Sequence, residues 1–144
     1  MPITHHPKPG QILLCDFSQG FKEPEMIKLS RPVMVLSGSM PGRANLVTVV
    51  ACSTAEPASV RNYHYKIPAQ SMPPTKHFFG CDTLVKGDMV YTVAFHRLTA
   101  ICPGKGDGGE RIYYTNKPGR EQMNEIYRCV LCGMGMSFLS QHII

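Results

Sequence analysis

Two short stretches hold the residue types best suited to chemistry. Arg31 opens the run RPVMVLS at 31–37, and Ser53-Thr54 follow the run LVTVVAC at 46–52. Both runs are apolar and β-branched enough to read as buried strands, which can hold a terminal side chain in place. A guanidinium offers phosphate a planar fork of donors, and hydroxyls can donate to the same oxygens. Brought together, the two strand ends would make an anion site. On spacing alone the plainer reading is stronger: Arg31 flanks a strand, and Ser53-Thr54 cap a turn.

Other candidate constellations are weaker. Cys129-x-x-Cys132 has the spacing of half a zinc site or a redox pair, but no second pair matches it and both fall within a predicted helix. Core packing suits them better. His5-His6 is an adjacent pair near a chain end expected to be mobile. His64, His77, His96 and His142 show no metalloenzyme spacing, so no metal and no cofactor is expected. Ser53 lies outside any Gly-x-Ser-x-Gly elbow. The turn PGKGDGGE at 103–110 lacks both the spacing of a phosphate loop and the strand-to-helix setting that one needs.

The elements that must position these residues are short. Gln11 to Phe17 reads as a buried strand behind the turn Lys8-Pro9-Gly10, and 18–30 follows as a polar loop. Arg31 to Ser37 is entered through Pro32, which suits a strand's first residues. Leu46 to Cys52 is the strongest β signal. Tyr63 to Ile67 alternates as a strand, and 68–77 is a proline-rich loop. Lys86-Gly87-Asp88 reads as a turn before a strand from Met89 to Phe95, and Arg111 to Tyr114 as a last short strand. From Gly119 onward, Met123, Ile126, Tyr127, Val130, Leu131 and Met134 recur on one helical face, with Glu121 in the first turn and Gly133 and Gly135 weakening the end. Short strands, tight turns and one terminal helix describe a single domain over 1–144, mainly β, in which a strongly bent antiparallel sheet forms a small barrel.

Bulk composition sets outer bounds. The chain has 144 residues, 43% of them hydrophobic and 17% charged, which suits one globular domain with a continuous core. No apolar run is long enough to span a bilayer, and MPITHHPKPG lacks the order of a signal peptide. A cytoplasmic protein that begins here is therefore expected, with all six cysteines reduced. The net charge of +5 attracts polyanions without identifying them.

Four stretches read together carry a family resemblance. Residues 8–17 (KPGQILLCDF) resemble the opening strand of PemK/MazF toxins of type II toxin-antitoxin systems. Residues 31–37, with Arg-Pro before aliphatics, resemble the second strand, and 49–55 (VVACSTA) the third with its closing Ser/Thr pair. Residues 87–98 (GDMVYTVAFHRL) resemble the later Asp-x-Val/Ile strand. Gln11 replaces the usual acidic residue, and 59–82 and 103–116 look like additions. The resemblance implies an SH3-like barrel, a homodimer, cleavage of single-stranded RNA at short motifs, and a cognate antitoxin that covers the RNA groove. It also implies that Arg31 and Thr54 form the catalytic pair.

Metal-free RNA cleavage uses the substrate's own 2′-OH as nucleophile. Arg31 can stabilise the added negative charge or supply a proton to the leaving oxygen, and Thr54 with Ser53 can fix a non-bridging oxygen. His64, His77 and His96 titrate in the right range for a base, but none is marked out by its place. Lys22, Lys28 and Phe21, on the long first loop, are the candidate grip on single-stranded RNA. Two alternatives stay open. The same barrel could bind a nucleic acid or a protein without cleaving, as a gyrase poison of related fold does, or serve as a structural or phage-encoded interaction module.

Overall fold

A computed structural model of the protein describes residues 2–55, 59–74, 81–102, 104–105, 108–109, 111–112, 114 and 116–143. Five of its strands are β1 (Ile12–Asp16), β2 (Ser30–Val35), β3 (Leu46–Ser53), β4 (His64–Ile67) and β5 (Thr83–Ala94). The three-residue β6 (Leu98–Ala100) completes a sheet ordered β4-β5-β3-β2-β1-β6, antiparallel throughout. A separate pair, β7 (Gly104–Lys105) and β8 (Arg111–Ile112), precedes the helix α1 (Arg120–Gly133). The mainly β fold with one C-terminal helix is thus as expected. The sheet, however, is open: β4 and β6 are its edges.

The apolar runs need cover on both faces, because successive side chains in a strand point to opposite sides. In β1, Ile12 joins one buried cluster, while Leu13 and Cys15 join the other. The first cluster lies under α1, where Met123, Ile126 and Val130 meet Met34, Val50 and Val85. The second gathers Phe17, Met26, Val33, Val35, Val47 and Leu98 on the opposite face. Strand side chains, with Phe17 and Met26 from the loop after β1, fill this second cluster.

Three local expectations change. Lys86-Gly87-Asp88 is not a turn; β5 runs through it, and the β3–β5 register shifts between Val50 and Cys52, so that 86–89 bulge opposite Ala51. Gly87 is required by crowding: a Cβ there would stand 2.3 Å from the Cys129 carbonyl oxygen and 2.7 Å from that of Tyr63. Gly133 answers it across the helix–sheet contact, since its own Cβ would stand 2.3 Å from the Gly87 carbonyl carbon. The second change is at the N-terminus, which is tied down: Ile3 N–H donates to Leu98 O at 2.9 Å, and Pro2 bridges Thr99 along the outer edge of β6. Third, the helical face ends sooner than its pattern suggested, for Met134 is exposed, while Cys129 is buried as its core-packing reading expected. His77 and half of the 103–110 turn lie outside the described residues. Among the described residues no helix is long and apolar enough to cross a membrane.

Candidate active site

The β2–β3 ladder pairs Val35 with Val49 and Val33 with Ala51. Continued by two residues, that register sets Arg31 opposite Ser53. Pro32, between them, has no N–H to extend the ladder, so the strand ends separate just where the functional side chains begin. Arg31, Ser53 and Thr54 line one recess of about 90 Å³ together with Lys28 and Ser30.

Arg31 is held from several sides. It is only 6% exposed, and its Nε–H donates to the Cys52 carbonyl at 3.2 Å. One Nη1 points to thioethers, 3.2 Å from Met26 Sδ and 3.9 Å from Met89 Sδ. Burial lowers its pKa from the usual arginine value, with Cys52 and Tyr91 opposing; guanidinium starts so far above neutrality that it stays charged. The Cys52 thiol is pushed up to about 12 by burial and is therefore neutral beside it. Among the described residues the ion pair formed is Glu125–Arg128, and no carboxylate is paired with Arg31. Among the described residues its positive charge is thus not paired with a carboxylate.

A larger groove of about 600 Å³ opens from the same point, lined by Lys28, Arg31 and Ser53 with Lys86, Asp88, Met89 and Tyr91 of β5. The bulge at 86–89 is what turns this part of β5 into the groove. Tyr91 O–H donates to Glu25 O at 2.6 Å and so ties the loop before β2 to the groove wall. That loop is anchored on its inner side by Met26, which is 1% exposed.

The structure therefore gathers Arg31, Ser53, Thr54 and Lys28. Ser53 is buried and accepts the Ala55 N–H at 3.2 Å, whereas Thr54 is half-buried. Lys22 is exposed on the same loop but does not line the groove. Phe21 is packed elsewhere: it meets Phe17 edge-on at 5.0 Å and Tyr91 at 5.5 Å, and the Arg97 guanidinium lies 5.0 Å from its ring centre. His96 is exposed on a short 3-10 turn, and His64 sits on edge strand β4 with its Nδ1 accepting the Arg61 N–H at 3.0 Å. Neither lines the groove with Arg31. Lys86, Asp88 and Met89 were missed as groove residues because the bulge places them there, and Gly87 was the signal that marked it. Cys129 is buried, its thiol pushed up to about 11 by burial and aimed at the His64 carbonyl, which suits packing and not ligation. No metal-binding cluster of His, Cys, Asp and Glu forms among the described residues.

Comparison with known proteins agrees with this architecture. The family described as PemK-like, MazF-like toxin of type II toxin-antitoxin system matches residues 8–130. Among solved structures, MazF from Deinococcus radiodurans is 15% identical at a TM-score of 0.61, covering 92% of this chain and 100% of that one. An endoribonuclease from a mycobacterial species, solved with its cognate antitoxin, is 18% identical at a TM-score of 0.58, covering 90% and 96%. The MazE-MazF complex from Deinococcus radiodurans is 16% identical at a TM-score of 0.56, covering 93% and 100%. At these identities the likeness is one of fold. Curated protein sequences give no match.

Proposed function

Since the chain belongs to the PemK-like, MazF-like toxin family of type II toxin-antitoxin systems, we propose that it is a metal-independent endoribonuclease toxin cutting single-stranded RNA at short motifs. The observation that carries this reading is the buried guanidinium of Arg31, which pairs with no carboxylate among the described residues, in one recess with Ser53 and Thr54. A buried charge without a counter-ion is costly, and a substrate phosphate supplies the missing anion.

In this mechanism the RNA phosphate enters the recess and takes two of the Arg31 N–H donors. Thr54 Oγ1–H donates to a non-bridging oxygen, and Ser53 supports the same corner. The ribose 2′-OH attacks phosphorus in line with the leaving 5′-oxygen. Asp88, a carboxylate on the same groove wall, takes the 2′-OH proton, a role that sequence reasoning left without a residue. Arg31 stabilises the negative charge that builds on the phosphorane oxygens and gives the departing 5′-oxygen the proton that makes it a hydroxyl, regaining one from water. The products are a 2′,3′-cyclic phosphate and a 5′-hydroxyl. Lys28 and Lys86 line the groove and hold flanking phosphates, and Lys22 meets RNA further out on the same loop. Phe21 contributes through Tyr91, against which it packs.

As a family toxin the chain acts in the cytoplasm as a homodimer, and a cognate antitoxin neutralises it by covering this groove. End-group analysis of the cut RNA tests the chemistry. Cyclic phosphate at the 3′ ends supports the 2′-OH route, and 5′-phosphate ends would rule it out.

A further inference from the structure

Buried cations ordinarily face carboxylates or carbonyls, but the Arg31 Nη1 faces the thioethers of Met26 and Met89. A thioether is a weak acceptor, so it fills space around the guanidinium without competing for its donors. The two sulfurs differ in access. Met26 is sealed in the core, whereas Met89 is half-buried and lines the groove through which substrate must come. A reagent small enough to enter the groove reaches one sulfur and not the other.

Building on the nuclease reading, we propose that Met89 is a peroxide-sensitive modification site whose sulfoxide occupies Arg31 and switches the enzyme off. A lone pair on Sδ attacks one oxygen of a hydroperoxide. The S–O bond forms as the O–O bond breaks, and the departing oxygen takes a proton to leave as water or an alcohol. The sulfur loses two electrons and the peroxide gains them. The product carries a strongly polar oxygen on a sulfur that already stands 3.9 Å from Nη1. Turned towards the guanidinium, that oxygen comes into the ordinary hydrogen-bond range of about 2.7–3.2 Å. It then accepts the N–H groups that the substrate phosphate needs. Reduction by two thiols, which leave as a disulfide with water, restores the thioether and frees Arg31.

The test must separate Met89 from Met40, Met134 and Met136, which are exposed and oxidise as well. The parent protein and Met89→Leu are each assayed on a short single-stranded RNA before and after hydrogen peroxide, with sulfoxides located by peptide mapping. Each protein is compared with itself before treatment. The parent should lose about tenfold or more in rate as Met89 sulfoxide accumulates, the scale set by a hydrogen bond to a charged group. A methionine sulfoxide reductase should restore it, and Met89→Leu should change less than twofold. Equal losses in both proteins, or a Met89 that stays a thioether after the exposed methionines have converted, would overturn the proposal. Labelling of Arg31 by phenylglyoxal gives a readout that needs no RNA and no variant. It should slow on oxidation of the parent, and an unchanged rate overturns the pairing. A parent that cuts no RNA before peroxide counts against the nuclease reading, while the labelling still decides whether the sulfoxide engages Arg31.

Discussion

Replacing Gly87 by alanine puts a methyl group where the helix and the sheet already touch. The added Cβ would stand 2.3 Å from Cys129 O, 2.6 Å from Cys129 C and 2.7 Å from Tyr63 O, all of them backbone atoms. None can rotate away, so relief requires α1 to lift from β5 or β4 to lose the bond from Gly87 N–H to Tyr63 O. Overpacking where neighbours can yield costs about 1–3 kcal/mol, and rigid neighbours put this site at the top of that range or beyond. A loss of about 3 kcal/mol is a large part of a typical total of about 5–15 kcal/mol. For a domain of this size it lowers the melting temperature by roughly 6–12 °C. Gly38→Ala is the matched control, because a Cβ there meets nothing within 4 Å; it should be neutral or stabilise by up to about 1 kcal/mol. Thermal melts followed by circular dichroism read both. A Gly87→Ala protein that melts within about 2 °C of the parent, less than the shift expected for 1 kcal/mol, would refute the argument that Gly87 exists for close approach. Gly133→Ala should fall by a similar amount, and the double variant by less than the sum, since the two sites share one contact.

Thr54→Ala should lower kcat by about a hundredfold, the usual cost of one preorganised donor, with little change in melting temperature because the side chain is half-exposed; a fall in stability with unchanged kcat would speak against its role. Asp88→Asn should lower kcat by about a hundredfold or more, the usual contribution of a general base, and a variant with the parental kcat would show that another group takes the proton. Burial, ahead of the opposing charge of Asp88, holds the His64 pKa below the ordinary histidine value, and its Nδ1 must be unprotonated to accept the Arg61 N–H. The unfolded chain therefore binds the proton first, so this contribution to stability is complete above the ordinary histidine pKa and is lost as pH falls below it. An NMR titration should place the His64 midpoint below about 6.5, and His64→Gln should flatten the fall in melting temperature between pH 7.5 and 5.5, a pair of values chosen to lie roughly one unit either side of it; a midpoint at or above that value would contradict the assignment.

The strands that bring Arg31 to Ser53 were legible because their sequences are one-sided signals. Val, Leu and Met in nearly uninterrupted runs leave few alternatives to a buried strand, and Pro32 marks where pairing must stop. The helix was legible for a similar reason: Met123, Ile126 and Val130 repeat on one face, and all three are buried. Glycine was the ambiguous letter. Lys86-Gly87-Asp88 reads as a turn when glycine is taken to supply a positive φ, yet here it supplies an absent side chain, and sequence does not distinguish these uses. That one ambiguity hid the bulge, and with it Lys86, Asp88 and Met89 as groove residues. Phe21 shows the converse. An aromatic beside lysines suggests a stacking platform, but the loop folds back so that Phe21 completes a cluster with Phe17 and Tyr91. Closure of the sheet depends on whether β4 meets β6, a long-range relation that no local pattern encodes.

The central claim is that Arg31 serves cleavage of RNA and not the fold alone. The measurement is incubation of the purified protein with a long single-stranded RNA in EDTA, beside Arg31→Ala, with circular dichroism of both. Discrete fragments from the parent and intact RNA from a folded Arg31→Ala protein are the predicted result. Intact RNA with both proteins, or the same fragments from both, would contradict it and turn attention to a partner that the groove binds without cutting.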